Sequence, residues 1–340
     1  MEITTIGLDL AKSVFQLHAV DRYGAVVWRK QLRRAALLDV LAKVPACLIG
    51  MEACATSHYW AREISALGHE VRLMPPAYVK AYLRRQKNDA ADAEAICEAV
   101  RRPTMRFVPV KSAERQAVLA LHRSRDLLVR QRTMLINAIR GHCAEFGLVA
   151  RQGVRGAREL IERMKQSDSA AFPDVARAVV KALADQLEAL ALQIQALNRR
   201  LLAWYRQDEV SQRLATIPGV GVVSATALAA SVPNPDQFRS GREFAASLGL
   251  VPRQNSSGGK DKLGRISKMG DRYLRKLLVV GATSVVRRAK TRDIANANWI
   301  RSLLERKPAR LVTVAMANKT ARIVWAVLKR GEDYRSPIVA

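Results

Sequence analysis

Four carboxylates near the start of the chain have the types and the spacing that metal-assisted chemistry requires. Asp9 interrupts an apolar stretch, ITTIGLDL, and Glu52 directly follows another apolar stretch. Asp89 and Asp92 are three residues apart in KNDAADAEAI, so a helix would place both on one side. An ionised carboxylate among apolar residues is very costly unless it is paired or bound to a metal. The four residues therefore form a candidate site for hard cations such as Mg²⁺, which carboxylate oxygens bind well.

A site of this kind suits reactions at phosphodiesters, because two bound cations can activate a nucleophile and stabilise the leaving oxygen. Each residue also has an ordinary interpretation. Asp9 alone is compatible with a turn aspartate at the end of a strand. Asp89 and Asp92 alone are compatible with the solvated face of a helix. The four carboxylates together, on separate predicted elements, favour the metal site.

The elements that must position these carboxylates follow from hydrophobic periodicity and turn residues. The pattern predicts strands over residues 3–10, 14–21, 25–32, 47–51 and 71–74, and helices over 35–43 and 57–67. Three strands followed by alternating helix and strand predict a mixed sheet flanked by helices, which is an α/β domain. On this layout Asp9 lies on the first strand and Glu52 follows the fourth.

The chain is strongly basic. It has 57 Lys+Arg against 30 Asp+Glu, a formal net charge of +27 over 340 residues. This excess indicates a nucleic-acid partner but does not separate an enzyme from a binding protein. Four dispersed cysteines without a C-x-x-C pair argue against a zinc site and for reduced thiols in the cytoplasm. No uninterrupted apolar run approaches ~18 residues and the N-terminus lacks a signal-peptide pattern, so we expect no membrane partner.

The middle of the chain reads as long helices. Residues 112–141 have helical spacing, and from Val180 to Trp204 apolar residues recur in steps of three and four. This 3.5-residue period predicts a coiled coil. Its seam can pack against the first long helix within the chain or against a second protomer, and an arm of this type suits a dimer. We place the arm at residues 111–205, between a domain of residues 1–110 and one of residues 206–340.

A glycine-rich turn opens the last domain. Two apolar helical stretches flank Pro218-Gly219-Val220-Gly221, which is typical of a helix-hairpin-helix. In that motif the turn, here Gly219 and Gly221, exposes backbone N–H groups to a phosphate at a helix start. An ordinary helical hairpin with a tight turn fits the same pattern. The motif binds nucleic acid without reading its sequence.

A basic segment follows the turn. Between Arg253 and Arg292 twelve Lys and Arg residues are opposed only by Asp261 and Asp271, a density that suits phosphate neutralisation. The cations that we assign to nucleic-acid binding are Arg253, Lys260, Lys262, Arg265, Lys268, Arg272, Arg275 and Lys276. The segment also contains SSGGK, which lacks the spacing of a Walker A loop and on its own predicts a flexible loop.

The N-terminal motifs resemble the RuvC-like, RNase H-fold domain of the DEDD transposases of insertion sequences, relatives of the Piv-type DNA invertases. The motifs that carry this resemblance are GLDLAK, GMEAC and NDAADAEAI. Placed motif by motif, the family's tetrad falls on Asp9, Glu52, Asp89 and Asp92. Lys87 and Asn88 also fit the family's pattern before the last pair.

The C-terminal motifs resemble the Tnp domain of the same transposases, in the forms GLVPRQNSSGGK and GRISKMGD. The resemblance implies a nucleophilic serine in this loop at Ser257, with Ser256 as the fallback because adjacent serines leave the register open by one. A serine that attacks a phosphodiester must lose its proton, and the leaving oxygen must be stabilised. No histidine lies near this loop in the sequence, so metal held by the N-terminal carboxylates is a plausible aid. The resemblance implies this composite arrangement as well.

Taken over nearly the whole chain, the resemblance implies an RNase H-like domain, a long helical coiled-coil arm and a mainly α-helical Tnp domain with a helix-hairpin-helix. It implies a DNA transposase or site-specific recombinase of the prokaryotic cytoplasm that forms a phosphoserine link with cut DNA, assisted by Mg²⁺. The implied partners are double-stranded donor and target DNA, a guide (bridge) RNA encoded by the element, and further copies of the chain, as dimers assembling to a tetramer. Two alternatives remain open: a RuvC-like structure-specific nuclease that uses metal-activated water, and a non-catalytic nucleic-acid-binding protein.

Overall fold

A computed structural model describes residues 2–83, 88–167, 171–260, 262–292, 294 and 296–336. The chain divides into two compact units, Met1–Gln116 with Val232–Arg239, and Ala117–Ser231 with Ser240–Ala340. Lys87, before the Asp89–Asp92 pair, and Asp261, in the basic segment, lie outside the described residues. The first unit carries the four candidate carboxylates, and the second carries the candidate serine.

The N-terminal unit is built on a mixed five-stranded sheet flanked by helices. Its strands are β1 (Thr5–Leu10), β2 (Val14–Val20), β3 (Val26–Arg33), β4 (Leu48–Glu52) and β5 (Glu70–Met74). Its helices are α1 (Leu37–Leu41), α2 (Ser57–Ala66), α3 (Pro76–Val79) and α4 (Asp89–Val100). The spatial order is β3-β2-β1-β4-β5, with β1 antiparallel to β2 and parallel to β4. The predicted α/β architecture is confirmed, and the sheet is consistent with an RNase H-like fold.

Strand β1 lies at the centre of the sheet, between β2 and β4, and both of its faces are covered. Ile6 and Leu8 are fully buried in a core that also contains Phe15 of β2 and Trp60 of α2. The other face of β1 packs against α4. A strand that is buried on both faces carries a near-continuous apolar run instead of an alternating one. Asp9, half-buried at the end of this run, is therefore the point where the strand leaves the core.

The C-terminal unit is mostly helical. Its long helices are α5 (Ala113–Ala144), which starts just before the unit boundary, α6 (Val154–Gln166) and α7 (Asp174–Gln207). Shorter helices follow as α8 (Glu209–Ala215), α9 (Val222–Ser231) and α10 (Gly241–Ser247). Two short strands, β6 (Pro252–Gln254) and β7 (Leu263–Ile266), precede α11 (Arg272–Ala289), α12 (Ala297–Arg306) and α13 (Ala309–Arg330).

The apolar seam of α7 packs inside the chain. Its buried residues are Val180, Leu187, Leu190, Ile194 and Leu201. Toward one end of the helix, Val180 and Leu187 share a cluster with Ile139 of α5 and Leu160 of α6, and toward the other end Leu201 packs with Val118 of α5. The sequence left two partners open for this seam, the first long helix of the same chain or a second protomer. The seam packs against the first of these, α5. A coiled coil and a dimer stay predictions.

Helix α13 is long and apolar enough, by length and composition, to cross a membrane. It nevertheless packs against α10 and α11. Residues on its inward side, among them Met316, Ala321 and Val324, are buried. Membrane-crossing composition is weak evidence when a helix supplies the core of a folded unit, because core helices pass the same test. We therefore interpret α13 as a core helix of the C-terminal unit.

Candidate functional site

The register of β1 against β4 places Asp9 beside Glu52. The two strands are parallel, and their last registered pair is Leu8 and Met51. Asp9 and Glu52 are the next residue on each strand, so both lie on one face of the sheet at the carboxyl ends of the strands. Neighbouring strands are ~4.8 Å apart. Two of the four carboxylates are thus brought together by strand pairing alone.

Helix α4 covers this face of the sheet because two glycines let it approach. Gly7 and Gly50 are paired in register, and each lies two residues before one of the strand carboxylates, on the same face. A Cβ on Gly7 would lie 2.1 Å from the carbonyl oxygen of Ala93, and a Cβ on Gly50 would lie 2.7 Å from a side-chain carbon of the same helix. The sequence carries this signal as G-x-D and G-x-E, although periodicity alone does not reveal it.

Helix α4 contributes the other two carboxylates. It begins after Asn88, whose side-chain oxygen accepts a hydrogen bond of 2.8 Å from a backbone N–H of the first turn. That is the role of an N-cap residue, and the alanines that follow are the best helix formers. Asp89 and Asp92 both lie in the first turn. The positive end of the helix dipole stabilises negative charge at this position.

Three of the four carboxylates meet. One oxygen from each of Asp9, Asp89 and Asp92 lies within 4.8 Å of the other two. Glu52 lies outside this triad, although its charge and that of Asp9 both act on the Cys54 thiol. Burial of the sulfur is the largest cause that raises the pKa of Cys54, and these carboxylates add to it. The predicted tetrad is therefore a close triad with Glu52 beside it.

The triad fits a hard divalent cation. Its donors are all carboxylate oxygens, which are the ligands that Mg²⁺ and similar ions prefer. Asp9 and Asp92 are half-buried, whereas Asp89 is exposed, so solvent or a substrate can reach the group. Three negative charges this close repel one another, and a bound cation offsets that repulsion. A divalent metal therefore suits the DEDD-type cluster on grounds of charge and ligand chemistry.

The substitution Gly7→Ala is expected to displace α4 from the sheet. The new methyl group would collide with the Ala93 carbonyl oxygen and would lie 2.5 Å from the backbone nitrogen of Cys97, and neither atom belongs to a flexible side chain. Overpacking costs typically 1–3 kcal/mol, and a backbone collision puts this case at about 3 kcal/mol. Urea denaturation should show that loss. Calorimetric titration with Mg²⁺ or Mn²⁺ should show weaker binding, because α4 carries two of the three ligands.

A matched control is Gly141→Ala in α5. No atom lies within 4 Å of a Cβ built at Gly141, and alanine is the better helix former by up to ~1 kcal/mol. We expect this variant to keep metal binding and to be equally or more stable. If Gly7→Ala instead behaved like Gly141→Ala in both measurements, the close packing of α4 on β1 would be wrong.

The candidate serine lies on a β-hairpin. Strands β6 and β7 pair antiparallel, and the Lys260 N–H donates to the Ser257 carbonyl oxygen at 3.1 Å. The two residues between them, Gly258 and Gly259, have φ of 56° and 74°. Positive φ at both central residues is typical of a type I′ turn, which glycine adopts without strain. The segment predicted as a flexible loop is thus a tight, hydrogen-bonded turn at the tip of a two-stranded ribbon.

The two adjacent serines have different surroundings. The Ser256 hydroxyl oxygen accepts hydrogen bonds from the Lys262 N–H at 3.2 Å and from the Gln254 side-chain amide at 3.1 Å. It therefore ties the two arms of the hairpin together. Ser257 is exposed, and in the described part of the chain its hydroxyl makes no hydrogen bond. An incoming group can reach the Ser257 hydroxyl without breaking the hairpin.

The cations assigned to nucleic-acid binding differ in what they contact. Arg275 donates to two backbone carbonyl oxygens at 2.7 Å each, and Lys276 forms a 2.6 Å ion pair with Asp126 of α5. Arg253 donates across the hairpin to a carbonyl oxygen at 3.3 Å. The cations that are exposed and whose side chains make no hydrogen bond or ion pair among the described residues are Lys260, Lys262, Arg265, Lys268 and Arg272. The positive charge that is open to a phosphate is therefore concentrated at and just after the hairpin.

The glycine-rich turn joins α8 to α9 and packs against α11. The Gly219 carbonyl oxygen would lie 2.0 Å from a Cβ built on Gly281, so the turn and that helix touch backbone to backbone. Gly221 is exposed, with open space where a side chain would be. Phosphate binding by this turn stays a prediction. Within the turn, Gly221 is the residue that is exposed.

A buried histidine network links three helices of the C-terminal unit. His122 of α5 is 1% exposed, and its ring nitrogens lie 3.0 Å from the hydroxyls of Tyr273 and Thr226. Burial, with Arg125 as a lesser cause, lowers the pKa of His122 to about 4. The neutral ring thus joins α5 to α9 and to the first turn of α11. Sequence patterns do not reveal this network, because its three members are far apart in the chain.

Two family profiles match the chain. The DEDD transposase profile of IS110 matches residues 6–146, and a profile described as "Transposase IS116/IS110/IS902 family" matches residues 211–297. The first match contains the carboxylate triad and Glu52. The second contains the Ser257 hairpin and the whole of α11. Both sets of candidate residues therefore fall inside the matched regions.

Three relatives, all named as transposases, are similar to the chain over nearly its whole length. The chain is 51% identical over 336 residues to a "Probable family 20 transposase" of Pseudomonas aeruginosa, which covers 98% of the chain and 99% of the relative. It is 47% identical to the putative transposase y4pF/y4sB of Sinorhizobium fredii, over 98% of the chain and 86% of the relative. It is 40% identical to the transposase for insertion sequence element IS1328 of Yersinia enterocolitica, over 97% of the chain and 98% of the relative.

Proposed function

Because the chain belongs to the IS116/IS110/IS902 family of transposases, which cut and join DNA, we propose that Ser257 forms a covalent phosphoserine link with a DNA strand during recombination. The observation that carries this proposal is the exposed Ser257 hydroxyl at the tip of a hairpin whose other serine is held by hydrogen bonds. A nucleophile must be reachable by its target, and a rigid turn presents it in one orientation.

The proposed reaction is a pair of transesterifications. The Ser257 hydroxyl oxygen attacks the phosphorus, the bond to a DNA oxygen breaks, and the proton lost by the serine balances the proton gained by the leaving oxygen. The phosphoserine ester keeps the energy of the original phosphodiester, so a hydroxyl of a second DNA end can attack it and release the serine. No external energy source is required for rejoining.

We assign the metal to Asp9, Asp89 and Asp92, with Glu52 beside them, and propose that it is Mg²⁺. These carboxylates would hold the ion, which would supply positive charge to stabilise a phosphate oxygen and the leaving oxygen. The exposed basic side chains at and just after the hairpin bind the DNA backbone. They are Lys260, Lys262, Arg265, Lys268 and Arg272. Backbone contacts of this type position DNA without reading its sequence.

Sequence choice needs a further reader, and we propose that a structured guide RNA from the element's noncoding end supplies it. The net charge of +27 suits binding of a second polyanion. We also propose that the helical arm pairs copies of the chain into dimers that assemble to a tetramer. Exposed apolar side chains on the arm, including Met134 and Leu192, support a further contact surface there.

The test is recombination between a donor and a target plasmid by the purified full chain, with Mg²⁺ and with or without a transcript of the flanking noncoding segment. We expect recombinant junctions only when the transcript is present, because base pairing supplies the sequence choice. We also expect DNA that stays bound to protein in detergent. Cleavage without any bound DNA would indicate a nuclease that uses metal-activated water. DNA binding without cleavage would indicate a non-catalytic protein.

A further inference from the structure

A groove on the C-terminal unit has no role in the function proposed above. It has a volume of about 1140 Å³ and is formed by one face of α13, the start of α10, Trp299 of α12 and the base of the hairpin at Pro252 and Ile266. Its size is sufficient for a nucleotide, since small-ligand sites fill ~300–1,000 Å³. The hairpin that carries Ser257 therefore forms one wall of this groove.

The side chains of the groove combine aromatic rings with positive charge. Trp299 and Trp325 are both half-buried and line it, so each presents part of an indole ring. Arg242, Lys319 and Arg322 also line it, and no carboxylate does among the described residues. Aromatic faces that stack on bases, next to cations that bind phosphates, are how proteins hold single-stranded nucleic acid.

Two of these cations, Lys319 and Arg322, are three residues apart on α13 and therefore lie on the same side of that helix. Lys319 lies 4.6 Å from the ring centre of Trp299 and donates to the Asn296 side chain at 2.6 Å. Burial, and after it the charge of Arg322, lowers the pKa of Lys319. Neither cation has a carboxylate partner in the part of the chain that the structure describes. An anion in the groove would relieve this like-charge repulsion.

We propose that this groove binds an unpaired base of a single-stranded DNA segment, stacked on the indoles, with its phosphate on Lys319 and Arg322. This proposal depends on the proposed function in one respect: that function identifies the bound strand as DNA that is being cut and joined. A strand that is cut and joined to a new partner passes through an unpaired state, and its base is then free to stack. A second copy of this chain fits the groove less well, because a protein of net charge +27 would bring like charge to it.

The test compares two oligonucleotides of equal length, oligo-dT and an abasic strand, which share the same phosphates. Binding is measured by fluorescence anisotropy with the full chain carrying Ser257→Ala, so that no covalent chemistry interferes. We expect oligo-dT to bind more tightly than the abasic strand. Trp299→Leu should lower the affinity for oligo-dT roughly tenfold, as expected for one lost stacking contact. It should leave the affinity for the abasic strand unchanged.

Trp28→Leu is the matched control. Trp28 is also half-buried and also has a lysine over its ring, with Lys30 at 4.8 Å from the ring centre, but it lies on β3 in the N-terminal unit. We expect it to keep the difference between the two strands. If Trp299→Leu fails to fold, photocrosslinking of a halogenated oligo-dT to the parent chain replaces it, and we expect adducts on peptides of α12 or α13.

The proposal would be overturned by equal binding of the two strands, or by a Trp299→Leu effect equal to that of Trp28→Leu. Crosslinks found only outside α12 and α13 would also overturn it. Oligo-rU of the same length serves as a third probe, and a Trp299-dependent preference for it over oligo-dT would assign the groove to RNA. A change in oligomeric mass with unchanged DNA affinity would assign the groove to self-association instead. Because Ser257→Ala is present throughout, failure of the serine mechanism does not affect this test. A failed groove likewise leaves adduct formation intact.

Discussion

Replacing Ser257 with alanine is expected to abolish the covalent protein–DNA adduct, whereas Ser256→Ala should leave it. The reason is the difference between the two hydroxyls: Ser257 is exposed, and Ser256 accepts hydrogen bonds from Lys262 and Gln254. Loss of a nucleophile lowers a rate on the order of 10⁶-fold, so the adduct of Ser257→Ala should fall below detection. The measurement is a detergent gel of end-labelled donor DNA incubated with protein and Mg²⁺.

For Ser256→Ala we expect a weaker hairpin and a modest loss. Deleting a partner of two hydrogen bonds costs roughly 1 kcal/mol per bond in stability, and the loop should report it as faster local proteolysis. Adduct should still form. The opposite pattern, in which Ser256→Ala loses the adduct and Ser257→Ala keeps it, would move the nucleophile by one residue. Normal cleavage by both variants would end the serine mechanism.

Asp9→Asn is expected to abolish recombination and to weaken divalent-metal binding strongly. Asp9 contributes one of three carboxylates whose oxygens lie within 4.8 Å, so its loss removes a ligand. Mutating a residue that only supports a metal ligand typically lowers metal affinity ~10–100-fold. Asp9 is itself a proposed ligand, so we expect a larger loss of affinity for Asp9→Asn. Glu52→Gln should fall within that range, because Glu52 lies outside the triad. Calorimetric titration with Mg²⁺ or Mn²⁺ gives both values without requiring activity.

The control for Asp9→Asn is Asp39→Asn, which removes one negative charge from an exposed position in the same unit. It should bind metal and recombine as the parent does. If Asp9→Asn recombined plasmids at the parental rate, the carboxylate cluster would be structural and the chain's DNA activity would not depend on it. A Glu52→Gln loss as large as that of Asp9→Asn would show that the working site is the full tetrad.

The N-terminal sheet could be predicted from the sequence because its signals are local. Apolar runs, turn residues and the alternation of helix and strand fix the elements to within a few residues. The convergence of Asp9 with the Asp89–Asp92 pair also followed, since strand ends and a helix start were recognisable. What the sequence did not show is that the Glu52 oxygens lie outside the group formed by the other three carboxylates, although Glu52 is next to Asp9 in the sheet. That difference depends on how far each side chain reaches, which the sequence does not give.

The C-terminal unit was predicted less well, and the reason is physical. The hairpin around Ser257 is made of short, exposed strands rich in polar and glycine residues, which lack the apolar alternation that identifies a strand. The sequence also does not distinguish basic side chains that are open to a phosphate from those that already have partners in the protein. Arg275 and Lys276 are engaged by carbonyl oxygens and by Asp126, and such pairings depend on distant residues that no window of sequence contains.

The glycine contact between β1, β4 and α4 has a consequence for how the protein matures. Pairing β1 with β4 and covering both with α4 requires contacts between residues far apart in the chain, and such contacts form slowly. The hairpin closes over a short stretch and forms fast. During synthesis the carboxylate cluster is nonetheless complete in sequence once α4 has been translated, well before Ser257 exists. On the mechanism that we propose, an unfinished chain therefore has the candidate metal ligands but lacks the proposed nucleophile, and we expect a chain cut short there to form no covalent adduct with DNA.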